Sequence, residues 1–587
     1  MSQPNQDARV PAWFPPWAAR LTQLFFSGTT AMFVLHGNVH DLVRIAPDPA
    51  PRYSTLADFL AGQVFGRWDL VLHYDLARGL RAFASSDAER LKQMVVLANR
   101  KAGDLTLARK DPSVAFAMID RLAQNNIMAE ESERISVAIL IDHASFFVPA
   151  GEPGRLSLTA SSHIVHLLNW ASSPHIKRLN MAFVLIDERI AAISERIASS
   201  PHVAGIEIPL PDVAERQNFI PFAAGSRDFT QASDYTAEEL AKLTAGVSLI
   251  DLNVMVQSAF EGTERLDSKR MRTLKKQLIE RQCQGLIEFI EPKWTLDAVV
   301  GHEPVKQRLR EDAQLLKRGE SQTLPMGYLI CGAVGTGKTF IAQCAAGEIG
   351  IPCVILKNFR SKYVGETEGN LERVLGVLRA MGPVVVVIDE ADAALGDRGQ
   401  EGDSGTSSRI FSMIAAQMGD TRYRGRILWM LLTCRPDLLP IDLKRQGRAE
   451  VHIPLFYPED QHEIRDMFVS MARKLGATVA PEDVPDVPQK GQLSGADIEG
   501  LVGRALRKSL LAGAKQVTRE ALADAVQGFL PSTEGIEKEL QEVAAIVECT
   551  DLPFLPPEIV KRMEAAGGRA KMVERLNVLR RMVELQG

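Results

Sequence analysis

Residues 332–339 read Gly-Ala-Val-Gly-Thr-Gly-Lys-Thr. The spacing G-x-x-x-x-G-K-[ST] is that of a loop built to hold phosphate. Gly332, Gly335 and Gly337 lack a Cβ and let the backbone wrap closely around an anion. The candidate cradle runs through Gly332, Ala333, Val334, Gly335, Thr336, Gly337, Lys338, Thr339 and Phe340. Its N–H groups, with the N-terminus of the helix that follows, attract negative charge. Lys338 is placed to reach the β- and γ-phosphates as a compact charge, and Thr339 to offer its hydroxyl to Mg²⁺.

A second cluster lies fifty residues past Thr339, where Asp389 and Glu390 follow the apolar run VVVVI. Asp389 is the candidate Mg²⁺ holder, acting through the ion's water. Glu390 is the candidate general base that polarises the attacking water. Acids often end strands, so the pair alone is a moderate signal. In this order and topology it predicts ATP hydrolysis with Mg²⁺.

These residues must be positioned by strands and helices. YLIC (328–331) is short and apolar, GAVGTGKT follows, and FIAQCAAGEIG reads as a helix ending at Gly350. VVVVID (384–389) and ILWMLL (427–432) are further continuous apolar runs, as suits parallel strands buried on both faces. Strands alternating with helices predict an open parallel sheet, whose ligands bind at the C-terminal strand ends. All the motifs follow such ends. After residue 458 three segments show apolar residues at three- and four-residue spacing, with Ser494 and Thr518 as candidate N-caps. The tail, 531–587, reads as helix broken by LPFLPP at 552–557 and shows no chemistry.

The first half repeats the second. FVLHG (33–37) parallels YLICG (328–332), VAILIDH (137–143) parallels VVVVIDE (384–390), and MAFVLIDE (181–188) parallels 427–434. IPLPDVAERQNFI (208–220) parallels IPLFYPEDQHEIRDMF (453–468), and GVSLIDL (246–252) parallels GADIEGL (495–501). Asp142 to Ile208 spans 66 residues and Asp389 to Ile453 spans 64. The first copy carries about 48 extra residues ahead of its acidic strand. It has lost the chemistry: GNVHDL follows Gly37 in place of a lysine-bearing loop, and His143 follows Asp142. The organisation read from this is a degenerate domain at 1–262 that binds no nucleotide, a charged helical linker at 263–293, a large α/β ATPase domain at 294–458, a helical lid at 459–530 and a helical tail at 531–587.

The chain has 587 residues, 46% hydrophobic and 24% charged, ordinary values for globular domains. A net charge of −5 is not the basic footprint of a dedicated nucleic-acid binder. The basic stretch at 264–281 reads as a solvated linker helix. Cys283, Cys331, Cys344, Cys353, Cys434 and Cys549 show no CxxC spacing and read as buried thiols of a reducing compartment. No stretch reaches the ~18 apolar residues needed to span a bilayer, and the N-terminus does not read as a secretory signal. The expected location is the cytoplasm, with no membrane partner.

Residues 294–530 resemble the classical clade of AAA+ ATPases. WTLDAVVGHEPVKQRL (294–309) is similar to the clade's opening segment, and SKYVGETEGNLERV (361–374) to its first pore loop and the following helix. TCRPDLLPIDLKRQGRAE (433–450) resembles its second region of homology, and SGADIEGL (494–501) the start of its last lid helices. The resemblance implies a P-loop NTPase α/β sheet with a helical lid. It implies that Arg445 and Arg448 are arginine fingers reaching the γ-phosphate of a neighbouring subunit. That in turn requires a head-to-tail homo-oligomer, a hexameric ring in the clade. It further implies that Tyr363 and Val364 grip an extended protein substrate in the pore, with 396–408 in the place of a second pore loop. Where the clade has an asparagine that helps place the water, this chain has Cys434, and a thiol is a much weaker hydrogen-bonding group. Thr433 is a candidate to compensate. FtsH-like members carry an HExxH zinc protease motif, whereas HEIRD at 462–466 lacks the second His, so no protease activity is expected.

The resulting reading is ATP-driven remodelling of proteins. Two others stay open: a nucleic-acid motor or loader, and an ATP-gated scaffold with little turnover.

Overall fold

A computed structural model of the chain describes residues 10–47, 51–84, 86–108, 111–151, 154–261, 265–357, 366–395, 404–487, 491–530 and 535–585. Tyr363 and Val364, the residues expected to form a pore loop, and the first part of the 396–408 segment lie outside the described residues. The chain forms two compact units, Met1–Cys283 with Arg360–Met381, and Gln284–Phe359 with Gly382–Gly587.

The first unit is built on a six-stranded sheet of β1 (Met32–Gly37), β2 (Leu70–Asp75), β3 (Gly79–Ala82), β4 (Val137–Asp142), β5 (Met181–Ile186) and β6 (Val203–Ile208). The spatial order is β6-β1-β5-β4-β2-β3. All neighbours are parallel except the edge pair β2 and β3. The interior strands are apolar on both faces because helices cover both: Val34, Ile139 and Val184 are fully buried. Helices from Val213 to Glu261 follow the sheet, and Ser268–Gln282 carries the basic stretch. The helix Glu366–Met381 also falls in this unit. There Arg373 pairs with Glu188 and Arg379 with Glu207, each at 2.7 Å.

The second unit repeats the plan with β7 (Ile287–Ile290), β8 (Gly327–Gly332), β9 (Cys353–Leu356), β10 (Val384–Ile388), β11 (Ile427–Thr433) and β12 (Ala449–Leu455). Its order is β12-β8-β11-β10-β9-β7, again parallel except for the edge strand. Position by position this is the order of the first sheet, so the repeat in the sequence is a repeat of topology. One difference is the source of the antiparallel edge: β3 follows its partner in the chain, whereas β7 precedes the whole sheet and comes from the segment read as linker. Neither edge strand was read from the sequence, since four residues are too short to show a period.

The lid helices Gln461–Lys474, Gly495–Leu511 and Arg519–Gln527 enclose their own core around Ile464, Phe468, Leu501 and Leu522. Ser494 caps the second of them in a reciprocal box with Asp497, and Thr518 caps the third. The tail folds into α2 (Gly535–Glu548) and α3 (Arg569–Glu584), which follow α1 (Lys338–Ile349) in chain order, with the short helix Pro557–Ala565 between them. Ile546, Phe554, Leu555 and Ile559 join the apolar core beneath the second sheet. Burying such side chains stabilises by about 1.5–3 kcal/mol each, so the tail is part of the fold of the second unit. No helix among the described residues is long and apolar enough to cross a membrane.

Candidate active site at the phosphate-binding loop

The loop 332–337 leaves the C-terminal end of β8, and α1 begins at Lys338. Two glycines are required by space as well as by backbone angle. A Cβ at Gly332, where φ is +149°, would sit 2.3 Å from the Leu455 carbonyl oxygen; one at Gly335, φ +83°, would sit 2.6 Å from Ser494 Cβ. The second approach exists because the loop touches the lid: Gly495 N–H donates to Gly335 O at 3.1 Å. Thr336 Oγ1 donates to Ala333 O at 2.9 Å, which closes the turn. Phe340 packs sideways against the sheet core.

Lys338 is buried and its ammonium points back into the loop. Its Nζ lies 3.0 Å from both Gly332 O and Ala333 O and 3.1 Å from Cys434 Sγ. Thr339 Oγ1 donates to Asp389 Oδ2 at 2.9 Å, so the two oxygen groups assigned to Mg²⁺ already meet across fifty residues of sequence. Hard oxygen donors of this kind suit that ion, and the glycine-lined loop beside them suits a phosphate. Glu390 stands next to them, exposed, with a left-handed φ of 47°. Such an angle on a residue bearing a long side chain costs of order 1–3 kcal/mol and concentrates at functional sites. It is held by Glu390 N–H donating to Asp389 Oδ1 at 2.9 Å.

Cys434 follows β11 directly, and Thr433 is turned the other way. Its hydroxyl donates to Asp392 Oδ1 at 2.7 Å and accepts from Arg435 N–H at 2.9 Å. Thr433 is thus committed to orienting the strand end, and the thiol of Cys434 is the group left beside Lys338. None of the six cysteines is in a disulfide, and all but Cys434 are buried. Burial pushes the thiols of Cys344 and Cys353 up to about 12.

The two arginines do not join this group. Arg445 is 59% exposed, with Nε 3.7 Å from Asp442 Oδ1. Arg448 is 14% exposed and donates to Asp442 O at 2.7 Å. His462 of the HEIRD segment faces Asp466 at 3.1 Å on a lid helix. Among the described residues no three His, Cys, Asp or Glu side chains stand together as a metal cluster.

Several contacts at the site had no signal in the sequence. Tyr457 Oη donates to Val334 O at 2.7 Å. Gln541 Oε1, from the tail, accepts Val334 N–H at 3.1 Å. Asp392 could have been suspected from the acidic run that begins at Asp389, but a lone glutamine in an amphipathic helix carries no mark of its position in space.

The first unit preserves the frame without the chemistry. His143 has φ 52° and its N–H donates to Asp142 Oδ1 at 3.0 Å, which repeats the backbone of Glu390 with an imidazole in place of the carboxylate. Where the phosphate-binding loop would be, Asp41 is buried. Its carboxylate accepts Leu249 N–H at 2.8 Å and Ile250 N–H at 2.9 Å, and so caps the helix Leu249–Glu261. An internal carboxyl group thus occupies the helix N-terminus, and burial holds it above its ordinary range. Asp41→Ala strands the buried Leu249 N–H and unpairs the part-buried Ile250 N–H, and should lower the stability of the first unit by about 1–3 kcal/mol. Calorimetry should show an earlier first unfolding transition.

Comparison with known families and proteins accords with both halves. The family described as "AAA+ chaperone, N-terminal Rossmann-like domain" matches residues 8–209. "AAA+ chaperone, second helical domain" matches 214–284. "ATPase family associated with various cellular activities (AAA)" matches 328–457. The chain is 28% identical over 395 residues to the cell division cycle protein 48 homolog of Archaeoglobus fulgidus, covering 61% of this chain and 52% of that protein. It is 29% identical over 303 residues to ATP-dependent zinc metalloprotease FtsH 1 of Salinibacter ruber, covering 47% and 44%. To the peroxisomal ATPase PEX6 of Mus musculus it is 32% identical over 221 residues, covering 36% and 22%. The matches thus span about half the length of these relatives or less.

Proposed function

This chain belongs to the AAA+ ATPases, and from that premise we propose that it hydrolyses ATP in a ring of identical subunits and uses the cycle to remodel protein substrates. The observation that carries the reading is the meeting of Lys338, Thr339 and Asp389, with Glu390 adjoining, at the C-terminal ends of neighbouring strands β8, β11 and β10. In this proposal the loop 332–340, through its amides other than that of Val334, whose N–H donates to Gln541 Oε1, and the Lys338 ammonium bind and orient the triphosphate. Thr339 and Asp389 hold Mg²⁺, which when bound neutralises charge developing on the phosphates. Glu390 takes a proton from the attacking water. Asp389 accepts from Thr339 Oγ1 and from Glu390 N–H, which leaves the exposed Glu390 carboxylate for the separate task. Arg445 and Arg448, whose contacts are with Asp442, reach a neighbouring subunit's phosphate. Tyr363 and Val364 are proposed to contact the substrate polypeptide, a role resting on their resemblance to pore-loop residues. The degenerate first domain supports assembly or selects substrate.

A second reading, an ATP-gated scaffold, is favoured by one observation. Cys434 stands 3.1 Å from Lys338 Nζ, where a stronger hydrogen-bonding group would serve the water better. Steady-state turnover of the purified protein over a range of protein concentrations separates the two. A ring enzyme with trans-acting fingers gives turnover per subunit that rises with concentration and then saturates. Tight ATP binding with negligible turnover at every concentration would sink the motor reading and establish the scaffold.

A further inference from the structure

Neither the motifs nor the mechanism gives the tail a task, yet α2 touches two segments of the proposed site. Near its middle, Gln541 is 7% exposed and its side-chain oxygen accepts the N–H of Val334, inside the phosphate-binding loop, at 3.1 Å. Seven residues on, two helical turns along the same face, Glu548 accepts from Lys444 Nζ at 2.9 Å. Lys444 immediately precedes Arg445. Both ends of this span are fixed. Glu548 O lies 3.0 Å from His452 Nδ1, on β12. Burial opposes ionisation of Glu548, but the bonds from His452 and Lys444 outweigh it and hold the carboxyl below its ordinary range. α3 adds a third tie, as Arg580 Nε donates to Asp437 Oδ2 at 2.9 Å in the loop that follows Cys434.

Resting on the ATPase reading, we propose that α2 is a positioning strut of the ATPase site: Gln541 holds the phosphate-binding loop and Glu548 holds the arginine-finger segment, so one rigid helix fixes the site that binds a subunit's own nucleotide relative to the arginines it presents to its neighbour. The helix is suited to this. It is anchored in the sheet core by Ile546 and to α3 through Leu540, Val543, Leu576 and Leu579, so its two polar contacts cannot shift independently. Gln541 and Glu548 are positioning residues, and they act on different parameters. Gln541 steadies a loop that meets ATP in both ground and transition state. Glu548 steadies arginines that count only as charge develops.

The test is a pair of near-isosteric variants in the full chain, with kcat and KM for ATP measured separately and ATP affinity measured by calorimetry. Gln541→Met removes the acceptor and should raise KM and Kd about five- to twentyfold, with kcat within about twofold of the parent. Glu548→Gln should lower kcat about five- to twentyfold and leave KM within about twofold. A loss that was merely structural would move both parameters alike. Val334→Pro removes the donor that Gln541 serves, so it approaches the same bond from the other side and serves if Gln541→Met does not fold. Gln541→Met added to Val334→Pro should then cost nothing further. Parental KM in Gln541→Met, multiplying effects in the double variant, or loss of KM and kcat together in both isosteric variants would each overturn the strut and leave the ATPase reading standing. A parent that binds no ATP would overturn both.

Discussion

Glu390→Gln is expected to lower kcat by about 10²–10⁴ while ATP still binds with parental affinity or better. In the proposed site Lys338, Thr339 and the loop amides make the binding contacts, and Glu390 makes none of them. The substitution keeps size and hydrogen-bonding reach and removes only the basicity that takes a proton from water. The backbone should tolerate it, because the strained angle at 390 is secured by the bond from Glu390 N–H to Asp389, which glutamine retains. Steady-state turnover beside calorimetric ATP binding checks this. A variant that turns over at the parental rate would remove Glu390 from the mechanism. One that neither binds nor turns over would show that its carboxylate is needed to build the site.

Arg445→Ala and Arg448→Ala should each lower kcat by about 10³ or more, the scale of a finger's stabilisation of transferring phosphate. The more informative measurement mixes inactive proteins. Arg445 is exposed and held only loosely by Asp442, which leaves it able to reach outward. If it serves a neighbour, rings assembled from equal parts Arg445→Ala and Glu390→Gln contain sites with an intact glutamate beside an intact finger. In a randomly mixed head-to-tail ring that is about a quarter of sites, so about a quarter of parental turnover should return. No recovery in co-assembled rings would place the finger in its own subunit's site and remove the argument for an obligatory ring. Arg448 is the stiffer of the two, with its guanidinium donating to Asp442 O, so Arg448→Ala should also loosen the segment that carries Arg445. Its complementation should therefore be poorer than that of Arg445→Ala.

Much of this protein is fixed by local chemistry and so can be read from the chain. The loop announces its glycines because the turn itself puts Gly332, Gly335 and Gly337 at positive φ, which other residues rarely adopt. Strands buried on both faces must be continuously apolar, and a lid helix needs Ser494 at its start. Even the tandem plan is legible, because two sheets with one strand order must place similar apolar runs at similar intervals. Other features depend on which residues the fold brings together. Asp41 is an ordinary acid in the sequence, and only the return of the helix Leu249–Glu261 to the end of β1 turns it into an internal cap. Thr433 could have served the water, but Asp392 claims its hydroxyl. Gln541 lies 207 residues from Val334. Nothing in an amphipathic helix marks which turn will stand against a phosphate-binding loop, since helical periodicity specifies a buried face and not the group buried against it. The sequence therefore determined the candidate site and the repeat, because each is written in short motifs whose order and spacing survive along the chain; the tertiary structure decided how the tail meets that site and how the first copy is closed, because both rest on a few polar contacts between segments remote in the chain.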